Sequence, residues 1–312
     1  MKRNNINYRN YRELEWINTK LREDAQGFVK VCEQEYFAKL DAAAQEIAEN
    51  INRAGVILLA GPSSSGKTTS AYRLCARLAA LGIRTQTVSM DDYFMTIDRH
   101  NPELDFEAPE RLDIALLRQH MQILSACGEV QLPQYDFHTG IQSLSGRRIC
   151  REKGSAVIFE GLHALSDLFD DTGPAIRIYI SPRMRVTKDG ELFLTPEALR
   201  FLRRSVRDVR FRSADFARTL SLWPNVIRGE RRYVLPSKAN ADILIDTSMA
   251  YEPGMLSVAA GDALSGLDPQ ALAAVGLADI AEKLRAVEKL DLAWIPSDSM
   301  MREFIGNEGL SH

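Results

Sequence analysis

The sequence has few cysteines, no long apolar run and no excess of charge of one sign. Its four cysteines are far apart and form no C-x-x-C pair, which argues against a structural zinc site and favours reduced thiols. No run approaches the ~18 apolar residues of a membrane span, and the polar start contains no apolar signal segment. A net charge of −3 gives no overall attraction to nucleic acid or to an anionic membrane. We therefore expect a cytoplasmic protein with small-molecule substrates and without membrane or nucleic-acid partners.

The apolar pattern of the chain changes at residue 54. With 312 residues, 45% of them hydrophobic, the chain can bury one large core or two ordinary ones. After this point short β-branched runs alternate with helical stretches, as in a parallel sheet covered by helices on both faces. The predicted strands lie near 56–60, 85–90, 156–159, 176–180 and 242–246, and the predicted helices lie near 68–81, 110–127 and 196–211. The sequence thus predicts an α/β fold with a parallel five-stranded sheet.

Helical extensions are predicted on both sides of this α/β region. Residues 1–53 are rich in Glu, Lys, Ala and Gln, and their apolar positions recur at three- and four-residue steps, as in one or two amphipathic helices. Residues 253–312 include an Ala/Leu-rich helical stretch near 269–288. We therefore divide the chain into an N-terminal helical extension (1–53), a core (54–252) and a C-terminal helical extension (253–312).

The clearest motif is a complete phosphate-binding loop. Residues 61–69 read GPSSSGKTT, which fits the pattern G-x-x-x-x-G-K-[ST]. An apolar run at 56–60 precedes the loop and a helical stretch follows it, so the loop leaves a buried strand and enters the positive end of a helix. Because strand, spacing, lysine and helix occur together, a chance Ser/Gly-rich turn is the weaker explanation. The sequence predicts a P-loop NTPase fold that binds a nucleoside triphosphate.

Each residue type in this loop suits a triphosphate. The glycines permit the turn and the close approach of backbone to phosphate oxygens, Lys67 reaches the β- and γ-phosphates, and the Thr68 hydroxyl suits Mg²⁺. We expect ATP contacts from Gly61, Ser63, Ser64, Ser65, Gly66, Lys67, Thr68 and Thr69. The chain lacks the guanine-reading N-K-x-D motif, which argues against a GTPase switch.

Two other predicted strands end in acidic residues, Asp91 and Glu160. Ligands of an open α/β sheet bind beyond the carboxyl ends of its strands, so both acids are expected beside the phosphate loop. Phosphoryl transfer to a hydroxyl needs a carboxylate for the metal and a base that orients the acceptor. We assign Glu160, together with Thr68, to Mg²⁺ and Asp91 to the base. This pair favours transfer to a small acceptor over hydrolysis.

An arginine-rich segment near residues 196–218 admits three interpretations. Arginines recur at helical spacing along one face of a predicted helix, at Arg200, Arg203, Arg204 and Arg207. Such a face binds a nucleic-acid backbone in some proteins and closes as a lid over a triphosphate in others. The third interpretation is a solvated face that pairs with acids such as Asp208. The pattern alone leaves all three open.

Several motifs in order resemble the uridine kinase and phosphoribulokinase family. They are GPSSSGKTT, SMDDYF, DFEAPERLD, LPQYDF and FEGLHAL, followed by LRRSVRDVRFR, TLSLWPNVIRGE, ADILIDTS and the terminal MREFIG. The similarity spans about residues 54–252, with a weaker echo at the C-terminus. Within the family the chain resembles bacterial uridine-kinase-like proteins that are often fused to a threonyl-tRNA-synthetase-like N-terminal piece. Residues 1–53 are too short to hold that piece.

The resemblance implies roles for residues inside these motifs. It favours the lid for the arginine segment, with Arg204, Arg207 and Arg212 at the positions of the family's catalytic arginines. It implies ATP and Mg²⁺ as cofactors and a small acceptor held by Asp91, Tyr93, Glu107, Tyr135 and Phe137. The loop before the last strand contacts adenine in many such kinases, which makes Lys238 a candidate for ATP binding. Family kinases are often oligomers, so the terminal helices are candidate contacts between copies of the chain.

The acceptor site departs from the family pattern at three positions. Uridine kinases continue the Tyr-Asp-Phe motif with Thr-His-Ser-Arg, whereas this chain has Gly140 at the histidine and Gln142 at the arginine, and Ala214 replaces a second arginine. Glu107 stands where the family has an acid that binds ribose hydroxyls. We expect transfer of the γ-phosphoryl group of ATP to the 5′-hydroxyl of a nucleoside, with uridine or cytidine first. The alternatives are a P-loop kinase of another small alcohol or sugar phosphate, and a nucleotide-binding regulatory or RNA-associated protein.

Overall fold

The computed structural model of the protein describes residues 9–96, 105 and 107–306. Its strands are β1 (Asn10–Glu13), β2 (Val56–Ala60), β3 (Thr85–Ser89), β4 (Glu129–Asp136), β5 (Ile141–Cys150), β6 (Ala156–Glu160), β7 (Ala175–Ser181), β8 (Met184–Lys188), β9 (Glu191–Leu194) and β10 (Ile243–Asp246). Its α-helices are α1 (Leu14–Asn50), α2 (Lys67–Ala80), α3 (Ile114–Ser125), α4 (Pro196–Phe211), α5 (Phe216–Gly229), α6 (Glu252–Ala259), α7 (Gly261–Leu264), α8 (Pro269–Ala274), α9 (Ile280–Arg285) and α10 (Arg302–Ile305).

The centre of the fold is a five-stranded parallel sheet in the order β10-β7-β2-β6-β3. All five strands lie where the sequence predicts them. The middle strand β2 is buried along its whole length, because helices cover both faces of the sheet and an all-apolar strand is stable there. The parallel arrangement brings the carboxyl ends of β2, β3 and β6 to one edge, where the phosphate loop begins.

Two apolar clusters fill the space on the two sides of this sheet. One contains side chains of α1, α2, α4, α5 and the C-terminal helices, and the other contains side chains of α3 and β4. Helix α2 contributes Ala71, Leu74 and Leu78, which recur at helical spacing and are buried. Helix α3 begins at the N-cap Asp113, whose carboxylate accepts a hydrogen bond from the backbone N–H of Leu116 at 3.0 Å. The phosphate loop is thereby held between a buried strand and a packed helix.

The sequence predicts one or two helices in the N-terminal extension. The structure has α1, which spans 37 residues and is kinked at Asp24, where the backbone is not helical. The predicted helix near 269–288 is two short helices, α8 and α9, because Gly276 between them adopts a φ of +73°. The division of the chain at residues 53/54 and 252/253 remains a prediction. In the described part of the chain, 9–96, 105 and 107–306, no helix is both long and apolar enough to cross a membrane.

Two smaller sheets were not predicted from the sequence. Strands β4 and β5 form an antiparallel hairpin. Strands β1, β8 and β9 form a second sheet, in which β1 pairs in parallel with β8 and Asn10 lies opposite Met184. Helix α5, between the predicted lid and the last strand, was also not predicted.

Candidate active site

The phosphate loop connects β2 to α2 and has no room for side chains at two positions. A Cβ atom on Gly61 would lie 2.1 Å from the carbonyl oxygen of Ile180, so only glycine fits there. Gly66 has a φ of +84° and is the N-cap of α2, and a Cβ on it would lie 2.5 Å from the sulfur of Met300. The loop is therefore held in a fixed conformation, with the N-terminus of α2 directed at the site where an anion would bind.

Lys67 lies at the start of α2 and faces acidic groups. Its ammonium group donates a hydrogen bond to the carbonyl oxygen of Pro62 at 3.1 Å. Burial lowers the pKa of Lys67, and the negative charges of Glu160 and Asp91 oppose that shift. The three charges thus lie within interaction range around one cavity of about 600 Å³.

Glu160 ends β6 and lies beside the phosphate loop. Its Oε1 accepts a hydrogen bond from the hydroxyl of Thr68 at 3.2 Å. Burial, together with the charge of Asp91, raises the pKa of Glu160 to about 7. A carboxylate that is costly to ionise in this place is suited to a cationic ligand, because a cation would compensate the buried charge.

Asp91 lies in a 3₁₀ turn that follows β3 and faces the same cavity. Ser89 caps this turn and accepts a hydrogen bond from the backbone N–H of Asp91 at 3.3 Å. Desolvation raises the pKa of Asp91, and the positive charges of Lys67 and Arg212 act against it. The structure therefore brings both sequence-predicted acids to the cavity that the phosphate loop lines.

Three arginines of the predicted lid surround one buried carboxylate. Asp208 is contacted by Arg204 at 3.3 Å, by Arg207 at 3.1 Å and by Arg212 at 3.6 Å. Arg204 also donates a hydrogen bond to the hydroxyl of Ser63 in the phosphate loop at 2.8 Å. All three guanidinium groups line the cavity. The pairing with Asp208 is thus present, and Arg204 and Arg207 are largely buried at the cavity, whereas the side chain of Arg212 is 57% exposed.

The other two arginines of this helical face have a different environment. Arg200 forms a bidentate ion pair with Glu230 at 2.6 and 2.9 Å, and Arg203 pairs with Glu252 at 2.5 and 2.7 Å. All four side chains are buried. Their charges are satisfied inside the protein, so they do not extend a cationic surface that a nucleic acid would contact.

The far wall of the cavity is aromatic and carries one acid. The rings of Phe94, Tyr135 and Phe137 contact one another, with centroids 5.0 to 5.8 Å apart. Glu107 lines the same wall, and burial raises its pKa while the charge of Arg204 lowers it. A molecule that combines a planar ring with neighbouring hydroxyl groups could stack on these aromatic side chains and donate hydrogen bonds to Glu107.

Some predicted site residues lie elsewhere. The side chain of Tyr93 is fully buried, and its hydroxyl shares a hydrogen bond with Nδ1 of His120 at 2.8 Å, so it is not part of the cavity wall. Lys238 lines a second cavity of about 480 Å³, which Pro62 of the phosphate loop also lines. Thr69 does not line the cavity, and its hydroxyl donates a hydrogen bond at 2.6 Å to Glu303, which does line it.

Sequence reasoning did not identify five residues that line the cavity: Phe94, Arg111, Leu162, Arg218 and Glu303. Phe94 and Arg111 lie inside the motifs SMDDYF and DFEAPERLD, so their motifs could have indicated them. Glu303 belongs to the terminal motif MREFIG, which was noticed in the sequence but given no role. Nothing else in the sequence indicated Glu303.

His163 gives a test of the electrostatics near this site. It is buried, and desolvation lowers its pKa from 6.5 to about 4, against the bond with the Glu107 backbone. Between pH 6.5 and about 4, the imidazole of His163 binds a proton in the unfolded chain but stays neutral in the native protein. The free energy of unfolding is therefore unaffected by this group above pH 6.5 and decreases as the pH falls toward 4. We expect the free energy of unfolding of His163→Gln to decrease on acidification by up to about 3 kcal/mol less than that of the wild-type protein.

The measurement is urea unfolding of both proteins at neutral pH and at about pH 5. His138→Gln is the control, because His138 is exposed. Equal loss of stability in the wild-type protein and in His163→Gln would contradict the assigned burial cost.

The fold and the site together define a P-loop kinase: a parallel α/β sheet, a phosphate-binding loop and acids at the neighbouring strand ends. Residues 56–251 match the Phosphoribulokinase / Uridine kinase family, and the chain belongs to this family. It is 29% identical over 201 residues to a uridine kinase of Bacillus cereus, which covers 62% of this chain and 86% of the relative. It is 24% identical over 195 residues to a uridine kinase of Ureaplasma urealyticum, with 61% and 86% covered.

A solved structure described as a possible uridine kinase from Bacillus stearothermophilus is also similar. It is 20% identical in sequence, covers 67% of this chain and 98% of its own, and superposes with a TM-score of 0.45. Membership of a kinase family makes the protein a phosphotransferase, and P-loop kinases in general use ATP and Mg²⁺.

The residues at the phosphate loop fit a magnesium–nucleotide complex. The hydroxyls of Ser64 and Ser65 are buried at the cavity and have no hydrogen-bond partner among the described residues, and phosphate oxygens would accept from them. Thr68 and Glu160 supply only oxygen donors, which Mg²⁺ prefers. Within residues 9–96, 105 and 107–306 no group of three His, Cys, Asp or Glu side chains is arranged around a metal site. Mg²⁺ that arrives with a nucleotide keeps water and phosphate ligands, so it needs only one or two ligands from the protein.

Proposed function

We propose that the protein transfers the γ-phosphoryl group of ATP to the 5′-hydroxyl of a nucleoside, with uridine or cytidine as the first candidates. The observation that carries the proposal is the single cavity of about 600 Å³ that joins the phosphate loop and Asp91 to the aromatic wall. The names of the curated relatives, uridine kinases that align over most of their own length, support this class of acceptor.

The phosphate end of the cavity would bind and polarise the triphosphate. Lys67 and the loop N–H groups would hold the β- and γ-phosphates, and Thr68 and Glu160 would hold the metal ion. Bound Mg²⁺ supplies a positive charge that stabilises the charge developing on the phosphate oxygens. The protein groups are preorganised for this task, since the loop is fixed at both glycines.

Asp91 would act on the acceptor. It faces the cavity between Lys67 and the lid arginines, so a hydroxyl placed there would donate its hydrogen bond to the Asp91 carboxylate and turn its lone pair toward the γ-phosphorus. The raised pKa of Asp91 makes it a better base than an ordinary aspartate.

The lid arginines would neutralise the transferring group. Arg204, Arg207 and Arg212 are already gathered by Asp208 and face the cavity, so little reorganisation is needed when charge develops. Closing α4 and α5 over the site would also exclude water, which competes with the intended acceptor.

The acceptor wall supports a nucleoside. Tyr135 and Phe137 offer faces and edges for a base, and Glu107 offers two acceptor oxygens for ribose hydroxyls. Gly140 and Gln142 change the groups that read the base in family members, and such changes relax or redirect the choice of base.

A product screen tests this proposal. We expect a phosphorylated product by mass spectrometry when the protein, ATP and Mg²⁺ are incubated with a panel of nucleosides and sugar phosphates, with the highest kcat/KM for uridine or cytidine. Glu107→Gln, which keeps the shape and removes the charge, should raise KM for a nucleoside by about tenfold and leave KM for ATP unchanged. Phosphorylation of a sugar phosphate without phosphorylation of any nucleoside would reject the proposed acceptor class but not the proposed kinase activity.

That outcome is the second candidate, a kinase of another small alcohol or a sugar phosphate. It is favoured by the basic side chains Arg111 and Arg218, which line the cavity together with the lid arginines and would suit an acceptor that carries its own phosphate. A regulatory or RNA-associated protein has less support, because Arg200 and Arg203 are buried in ion pairs. Salt-sensitive RNA binding without any phosphorylated product would reverse this order.

A further inference from the structure

The C-terminal segment Ser299–Gly306 packs against the phosphate loop. The sulfur of Met300 lies so close to Gly66 that a Cβ there would be 2.5 Å from it, and Glu303 accepts the 2.6 Å hydrogen bond from Thr69 in the first turn of α2. Glu303 also lines the catalytic cavity. This segment lies outside residues 56–251, the part of the chain that matches the family, and the resemblance of its motif MREFIG assigned no role to Glu303.

The segment is held in place on both sides of Glu303. The guanidinium of Arg302 donates to four backbone carbonyl oxygens, those of Leu292, Ile295, Pro296 and Gly306. Phe304 is fully buried, and the guanidinium carbon of Arg203 lies 5.2 Å from its ring centroid. The backbone around Glu303 is therefore fixed, and the hydrogen bond from Thr69 holds its carboxylate beside the first turn of α2.

A buried network fixes the start of the same segment. The hydroxyl of Ser299 donates to Oε1 of Glu33 at 2.5 Å, and the hydroxyl of Tyr251 donates to the same oxygen at 2.5 Å. All three side chains are buried. The N-terminal helix α1, the N-cap of helix α6 and the C-terminal segment thus meet at one buried point.

The charge of Glu303 acts on the groups that would bind the metal and the phosphates. It opposes the lowering of the Lys67 pKa by burial, and it adds to the raising of the Glu160 pKa by burial and by Asp91. A negative group in this position repels phosphate and attracts a cation. It would be unfavourable in a site for free phosphates and favourable in a site for phosphates that arrive with a metal ion.

We propose that Glu303 is a specificity-determining residue of the phosphate site, and that its carboxylate makes the site prefer metal-complexed nucleotide over metal-free nucleotide. Mg²⁺ retains several water ligands, whose hydrogens a nearby carboxylate accepts. Metal-free nucleotide brings only negative charge to the same carboxylate. The inference rests on the proposed function only in so far as nucleotide binds at the phosphate loop, and it does not depend on the acceptor.

Calorimetric titration of ADP, once with Mg²⁺ and once with EDTA, tests this preference without any turnover. For Glu303→Gln, which keeps the shape and removes the charge, we expect weaker binding of the magnesium complex and tighter binding of metal-free ADP. The preference for the magnesium complex should fall by about tenfold, the low end for groups that act through a metal's water ligands. Glu282→Gln is the matched control, because Glu282 is exposed on the same C-terminal extension.

A second variant separates charge from packing. Glu303→Asp keeps the charge and shortens the side chain by one methylene, so it should retain the preference even where the bond to Thr69 is lost. The inference is overturned by equal changes of both affinities in Glu303→Gln, which indicate a packing role, by unchanged affinities, or by loss of the preference in Glu303→Asp. Wild-type protein that binds neither form of ADP would reject the proposed function itself, whereas wild-type binding with an unaffected ratio in Glu303→Gln rejects this inference alone.

Discussion

Lys67→Ala is expected to lower kcat/KM by about 10³-fold or more, and this is the largest single effect that the structure predicts. The ammonium group lies at the start of α2, between the phosphate loop and the two acids of the cavity. Removal of a preorganised positive charge from the place where phosphate charge develops raises the barrier more than it weakens binding. Alanine also leaves the carboxylates of Glu160 and Asp91 without the positive charge of Lys67, so the folding of the variant is checked separately from its activity.

Steady-state kinetics with the best acceptor of the product screen measures this effect. Lys153→Ala is the matched control, since Lys153 is exposed and far from the loop in sequence. Thermal unfolding of both variants shows whether the protein remains folded. Near-normal turnover by folded Lys67→Ala would remove the phosphate loop from the mechanism.

Asp91→Asn should reduce kcat by about 10² to 10⁴, the range for loss of a general base. The amide has almost the shape of the carboxylate, but it cannot take the proton of the acceptor hydroxyl. Because the proposed role of Asp91 is at the acceptor, KM for ATP should change little. The expected signature is therefore a loss in kcat without a matching loss in nucleotide binding.

The experiment compares kcat and both KM values of Asp91→Asn with those of Asp262→Asn. Asp262 is exposed in the C-terminal extension and provides the same chemical change away from the cavity. A variant that binds ATP tenfold more weakly but turns over at the wild-type rate would assign Asp91 to the nucleotide rather than to the acceptor.

The central sheet was predictable because its signal is local. Each of its strands is a short apolar or β-branched run, and the buried strand β2 directly precedes a motif with fixed spacing. The edge that gathers Lys67, Asp91 and Glu160 then follows from the rule that the carboxyl ends of parallel strands meet. Family membership, shown by the match over residues 56–251, agrees with the motifs that suggested it.

The smaller sheets were not predictable because their signals are weak or distant. Strand β5 is largely exposed on both faces, so it lacks the alternation of apolar and polar residues that marks a strand. The pairing of Asn10 with Met184 joins segments far apart in the chain, and nothing local indicates it. Gly276 ends a helix by adopting a positive φ, although the Ala/Leu-rich composition around it continues.

The candidate site was predictable where a residue belongs to a motif and not where two distant segments meet. Thr69 and Glu303 are separated by 234 positions and are brought to 2.6 Å by the packing of the C-terminal segment. Arg200 and Arg203 share a helical face with the lid arginines in the sequence, but their roles differ because Glu230 and Glu252 lie buried opposite them. Periodicity locates a face of a helix, whereas the partner of each residue depends on the whole fold.

The shared contact of three guanidinium groups with Asp208 has an evolutionary consequence. Because all three contact the same carboxylate, a change at any one of them alters the local potential at the other two. Exchange of a single arginine in this trio is therefore constrained by its neighbours as well as by its own contact. Drift in this part of the chain would have to proceed through coordinated, compensating changes rather than through independent ones.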